Sequence, residues 1–193
     1  MLGELWSFQG RYRTLHLTWF AFFLTFVVWF NLAPLATTVK ADLGLTVGEI
    51  RTVAICNVAL TIPARVLIGM LLDKFGPRIT YSSILVFSAI PCLLFASAQD
   101  FSQLVVARLL LSIVGAGFVI GIRMVAEWFP PKEIGLAEGI YGGWGNFGSA
   151  FSALSLVAVA GFLSFSGGFT LPTGDILNWR GAIALTGIIS AVY

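Results

Sequence analysis

Charge is almost shut out of six long apolar runs in this chain, and that pattern permits few folds. The runs cover about residues 15–39, 50–72, 79–98, 104–125, 134–165 and 179–193. A membrane-crossing helix needs about 20 apolar residues, because hydrocarbon leaves the backbone no partner outside the helix itself. The first five runs reach that length. Of the 193 residues, 58% are apolar and only 10% charged, whereas soluble domains carry about 25% charged residues. The expected fold is therefore an all-α integral membrane protein lying in a lipid bilayer. The first run is too long and too aromatic for the core of a signal peptide. The sixth begins near Trp179 and is still apolar at Tyr193; at about 15 residues it is short of a span. An incomplete sixth helix is expected, and the chain reads as a piece of a longer protein.

The connections carry the topology. Residues 40–48 form a short polar link, residues 73–78 a tight turn holding Gly76-Pro77, and Gln99-Asp100 barely separates the third and fourth runs. Pro130-Pro131-Lys132-Glu133 interrupts the chain before the fifth run, and a longer loop spans Ser164 to Asn178. Links this short imply antiparallel neighbouring helices. Arg11, Arg13, Lys74, Arg78, Arg123 and Lys132 fall on one side, and Lys40, Arg51 and Arg180 on the other. Lys and Arg favour the cytoplasm, which puts the N-terminus inside a cell (inner or plasma) membrane. A net charge of +2 is too small to suggest nucleic acid. Cys56 and Cys92 lie in apolar runs with no metal or disulfide spacing. His16 is the single histidine, and no cluster of His, Cys or acid residues suggests an enzyme, a metal or a cofactor.

Three features point to function. Arg65 lies within the second run, eight residues before Asp73, or roughly 12 Å along a helix. A mid-membrane arginine costs at least about 2.5 kcal/mol and normally faces a cavity, a partner or a substrate. No acid in the apolar part of any run is an obvious partner, and a planar donor fork suits a small planar oxyanion. The alternative is a structural arginine bonded to carbonyls of a helix broken near Pro63. The second feature is the glycine-dense stretch from Gly139 to Ser149. Each interior Gly costs a soluble helix roughly 1 kcal/mol against Ala, but in a membrane helix it admits close approach of a neighbour or ligand. Packing through Gly139 and Gly143 is expected, with Gly145 to Gly148 facing the same cavity as Arg65. The third is the turn from Gly69 to Arg78. Its Asp73 sits unfavourably at a helix C-terminus unless it is paired or caps the next helix. Arg123 and Glu127, four apart, can pair on one helix face. Phe118 could wall a ligand site, although aromatics in such helices usually pack. Arg108 is read as structural.

The turn resembles the second link of the major facilitator superfamily, matching at Gly69, Asp73, Lys74, Gly76 and Arg78 and departing at Pro77, where a cation is usual. The run Gly142-Gly143-Trp144-Gly145-Asn146-Phe147-Gly148 resembles the fifth-helix signature of the nitrate/nitrite porter family within that superfamily, and Arg65 matches its second-helix arginine. The resemblance implies the N-terminal six-helix half of a twelve-helix transporter of nitrate or nitrite working by alternating access. It implies a substrate site of Arg65, Asn146, Phe118, Gly145 and Gly148, a conformational gate of Gly69, Asp73, Lys74, Gly76 and Arg78, and a missing C-terminal half that supplies a second arginine. Two alternatives stand beside it. One is a facilitator of another small anion or organic acid; the other is a multi-pass sensor or subunit without transport activity.

Overall fold

A computed structural model describes residues 7–165 and 178–193. Among these residues every regular element is helical. Helix α1 (Gly10–Trp29) passes through one 3-10 turn at Ala33–Leu35 into α2 (Ala36–Asp42). Pro34 is the second residue of that turn; it has no N–H to continue the helical ladder. The first apolar run is thus a broken helix that begins earlier and ends later than its hydrophobicity alone suggests.

Helix α3 (Val47–Ala59) starts on a capping box, in which the Glu49 N–H donates to Thr46 Oγ1 at 3.2 Å and Thr46 N–H donates to Glu49 Oε2 at 2.8 Å. It stops at Leu60, and α4 (Thr61–Ser97) begins at the next residue. The interruption is held from across the bundle. Leu60 N–H donates to Ser112 Oγ at 3.2 Å and Thr61 Oγ1 donates to Ser112 O at 3.1 Å. The second run is therefore broken five residues before Arg65.

Helix α4 contains both the end of the second run and the whole of the third. Its direction changes at Gly76, whose φ of 77° suits glycine and strains other residues. Pro77 follows, at the first position of the second arm, where its fixed φ and missing N–H favour a helix start. The expected Gly76-Pro77 turn is present, and the departure from the family pattern at Pro77 has a structural use.

Asp100 caps α5 (Phe101–Ser112) by accepting from Gln103 N–H at 2.9 Å. A 3-10 turn at Ile113–Ala116 joins it to α6 (Gly117–Trp128). Helix α7 (Pro131–Phe165) runs unbroken through all its glycines, and α8 (Trp179–Val192) starts on an Asn178 cap. The loop expected between Ser164 and Asn178 lies mostly outside the described residues.

Helix α1 packs chiefly on α7, α4 on α8, and α3 on α5. Phe22, Leu111, Ile120 and Tyr141 are fully buried between them. The ends of the bundle are tied by charge. At one end Arg11 meets Glu133 at 2.9 Å. At the other Arg180 meets Asp42 at 3.3 Å and donates to the carbonyls of Ala96 and Ala98 at 2.8 and 2.6 Å.

Candidate anion site and gate

Arg65 stands on the first arm of α4 with its side chain exposed. No hydrogen bond or ion pair engages it among the described residues. Among the described residues no bond joins Arg65 to the carbonyls of the nearby helix break, which is closed by Ser112 instead. On α7, Asn146 is also exposed, and its Nδ2 donates to Gly142 O at 2.7 Å within its own helix. The helices carrying Arg65 and Asn146 are not close packing neighbours. Each offers its side chain from the open surface of the bundle.

The glycines of α7 divide differently from expectation. Gly145 and Gly148 face α1. A Cβ at Gly145 would run into the Phe22 ring, and one at Gly148 into the backbone carbonyl of Phe23. Gly139 and Gly143, expected to pack, have open space at the Cβ position. With Gly135, Ile140, Trp144 and Phe147 they line a shallow groove of about 470 Å³. The reason is helical phase. Tyr141, Gly145, Gly148 and Ser152, spaced by three and four, form one buried stripe, and Gly135, Gly139 and Gly143 form another that faces outward. Gly145 and Gly148 thus set how closely α7 approaches α1 and leave Asn146 on the open side.

Phe118, half-buried, stacks its ring near Phe22 and Tyr141 at centroid distances of 5.3 and 6.2 Å. Tyr141 Oη donates to Phe118 O at 3.0 Å, so the backbone that carries the ring is anchored to α7. A Cβ at Gly121 would collide with Tyr141, which explains why that position of α6 has none.

In the turn, Asp73 pairs with Arg123 at 3.6 Å, and Arg123 also holds Glu127 at 2.6 Å. The partner that Asp73 needs at a helix C-terminus comes from α6. Both side chains are more than half exposed, 72% for Asp73 and 54% for Arg123, so the contact is readily broken. Gly69 has open space around it, and Lys74 Nζ lies 5.2 Å from the Phe75 ring centroid. Gly76 and Arg78 line a groove of about 690 Å³ reaching Thr14, Met124 and Trp128.

Arg108, read as structural from sequence, is bonded within the bundle. It is completely buried, donates from Nη1 to Asn57 Oδ1 at 3.3 Å, and lies 4.7 Å from the Phe95 ring centroid. No carboxylate pairs with it among the described residues. The signal was present as a second arginine in an apolar run, with Asn57 in another.

This arrangement defines a class: a multi-pass helical membrane bundle with an unpaired arginine on an open face and an ion-paired turn at one end. The Major Facilitator Superfamily profile matches residues 18–193, and the chain belongs to that superfamily. It is 62% identical over 207 aligned positions to the nitrate/nitrite transporter NrtP of Picosynechococcus sp., covering 100% of this chain and 39% of that protein. It is 63% identical over 193 positions to the nitrate/nitrite transporter NrtP of Nostoc punctiforme, covering 100% of this chain and 37% of that protein. The chain thus spans less than two-fifths of these relatives and corresponds to their N-terminal part. A bacterial homologue of the human lysosomal transporter Spinster, solved inward-facing and occupied, superposes with a TM-score of 0.73 at 18% identity, covering 94% of this chain and 42% of that one. That likeness concerns the fold.

Proposed function

We propose that this chain supplies the N-terminal half of a nitrate/nitrite transporter that works by alternating access, with Arg65 as the anion ligand. The observation that carries the reading is the exposed Arg65 guanidinium without a partner on an apolar helix. A charge so placed is costly unless another part of the protein, or a bound anion, covers it. Nitrate is flat, singly charged and weakly hydrated, which fits a guanidinium edge. Asn146 adds an amide donor and Phe118 an aromatic wall, while Gly145 and Gly148 fix the seating of α7 on α1. The high identity to two nitrate/nitrite transporters across the whole chain supports this substrate class.

The Asp73–Arg123 contact acts as a gate that holds one conformation and opens in the other, with Gly69, Lys74, Gly76 and Arg78 shaping the turn. The N-terminus and this turn lie on the cytoplasmic side of the plasma (inner) membrane, consistent with the excess of Lys and Arg there. Nitrate uptake into vesicles by the protein at its native length, with and without Arg65→Lys, tests the substrate reading. Undiminished uptake with Lys at position 65 removes the two-point contact. Robust movement of a different anion with no movement of nitrate favours another facilitator activity.

A further inference from the structure

Glu138 is an acid inside a helix long and apolar enough to cross a membrane, Pro131–Ser164. It is half-buried, and no hydrogen bond or ion pair engages it among the described residues. A charged carboxylate at such a depth is costly, and acids within spans either pair or serve as proton relays. The acids nearer the helix ends are held: Glu133 by Arg11, and Asp73 and Glu127 by Arg123.

Room adjoins Glu138. Gly135, Gly139 and Gly142, which lie three residues before it, one after and four after, each have open space at the Cβ position. Glu138, Gly142 and Asn146 are spaced by four and climb one side of α7. Glu138 stands roughly 10 Å along α7 from Pro131, and Arg65 roughly 12 Å along α4 from Asp73. The two helices are not close packing neighbours, so acid and arginine sit at similar heights without neutralising each other.

None of the charged or titratable groups on the elements packed against α7 pairs with Glu138. On α1, Arg11 meets Glu133, Tyr12 is edge-on to Phe129, and Arg13 is exposed. His16 Nδ1 accepts from Trp19 Nε1 at 2.9 Å, and Trp19 lies against Trp144 on another side of α7. On α6, Arg123 bridges Asp73 and Glu127. On α8, Arg180 meets Asp42 at the far end, and Tyr193 Oη donates to Leu17 O at 2.9 Å.

A carboxylate on this side repels an anion approaching Asn146 and Arg65. A proton on Glu138 removes both that repulsion and the cost of covering the charge, so proton and anion each favour binding of the other. We propose that Glu138 takes one proton from water on the entry side with each anion and returns it to water on the exit side, which makes the cycle an electroneutral symport. The proposal rests on the anion-transport reading.

Vesicles holding the protein at native length, a pH-sensitive dye in the lumen and an imposed potassium diffusion potential test it. In wild type, nitrate entry should acidify the lumen and ignore the potential. One pH unit of outside acidity should raise nitrate accumulation about tenfold, the limit for one proton per anion. In Glu138→Gln, nitrate should still exchange and enter, but without acidification, without pH-driven accumulation and at a rate that follows the potential. Glu138→Asp, which keeps the carboxyl, should still acidify the lumen. Nitrate entry without protons in wild type, or equal acidification per nitrate in Glu138→Gln, overturns the proposal and leaves the anion reading standing. Loss of nitrate exchange in folded Glu138→Gln also overturns it, because the neutral amide stands in for the protonated acid. So does a large fall in the melting temperature of that variant, which would reveal a structural ion pair with the rest of the transporter. No nitrate uptake by wild type overturns both readings.

Discussion

Two faces of α7 use glycine in opposite ways. Gly145 and Gly148 are buried, and the atoms they admit are the Phe22 ring and the Phe23 carbonyl of α1. Gly139 and Gly143 meet nothing, and beside them Trp144, Asn146 and Phe147 are exposed. The first face settles how the bundle folds. The second is left for whatever slides against it or binds to it. Glycine density therefore shows that a membrane helix is closely approached, but only helical phase shows from which side. The same division separates Arg108, buried and partly bonded, from Arg65, exposed and unbonded. If it is right, substitutions on the buried face damage folding, and substitutions on the open face damage transport at unchanged stability.

The largest effect is expected at Gly148. Its neighbour is a backbone carbonyl, which cannot rotate aside, so Gly148→Val should abolish or strongly reduce folded protein. Gly145→Ala strikes the Phe22 ring, which is itself stacked on Tyr141 at 4.9 Å between centroids. Overpacking of this kind costs about 1–3 kcal/mol. Thermal melting followed by size-exclusion chromatography in detergent reads both. Gly139→Ala should stay within about 0.5 kcal/mol of wild type. Equal losses at Gly139 and Gly148 would break the comparison outright.

On the open face the leading prediction is Arg65→Lys. Lysine keeps the charge but loses the two-point fork, and a hydrogen bond to a charged group is worth about 1.5–3 kcal/mol. Nitrate uptake should fall about tenfold or more, with no drop in melting temperature because Arg65 has no partner to lose. Asn146→Ala removes one neutral donor, worth about 0.5–1.5 kcal/mol. A rise of about twofold to tenfold in half-saturating nitrate is expected, with at most a small stability change because the bond to Gly142 O is local and exposed. A lower melting temperature in either variant would mean that the residue packs in the assembled transporter.

Much of the architecture is legible in the chain because hydrocarbon imposes a length and a polarity on every span. The apolar runs, the Gly76-Pro77 turn, the pairing of Arg123 with Glu127 and the need of Asp73 for a partner all follow from local rules. What could not be read depends on contacts between distant segments. The break at Leu60 is made by Ser112, and the partner of Asp73 turns out to be Arg123. Hydropathy gives no phase in a helix that is apolar all round, so the exchange of roles between Gly139/Gly143 and Gly145/Gly148 was invisible until α1 was seen against α7. Arg108 is structural as read, but its Asn57 partner, on another helix, depends on the fold in the same way.

The smallest stability effect belongs to the turn, and it is the most sensitive test of whether exposed positions serve transport alone. Asp73 touches Arg123 at 3.6 Å, and Arg123 has a second partner in Glu127 at 2.6 Å. Exposed pairs of this kind contribute about 0–1 kcal/mol, and salt screens them further. Asp73→Asn preserves shape and removes charge, so its melting temperature should match wild type within error. Any sizeable loss of nitrate uptake then arises from the balance between conformations, where even a weak contact present in one state and absent in the other shifts the population by its full difference. Arg123→Gln should reproduce the transport defect, and the double variant should add little to it, because both single changes break the same contact. Additive defects would place the role of Asp73 in some other contact, and the Asp73–Arg123 pair would then be an incidental neighbour on the surface.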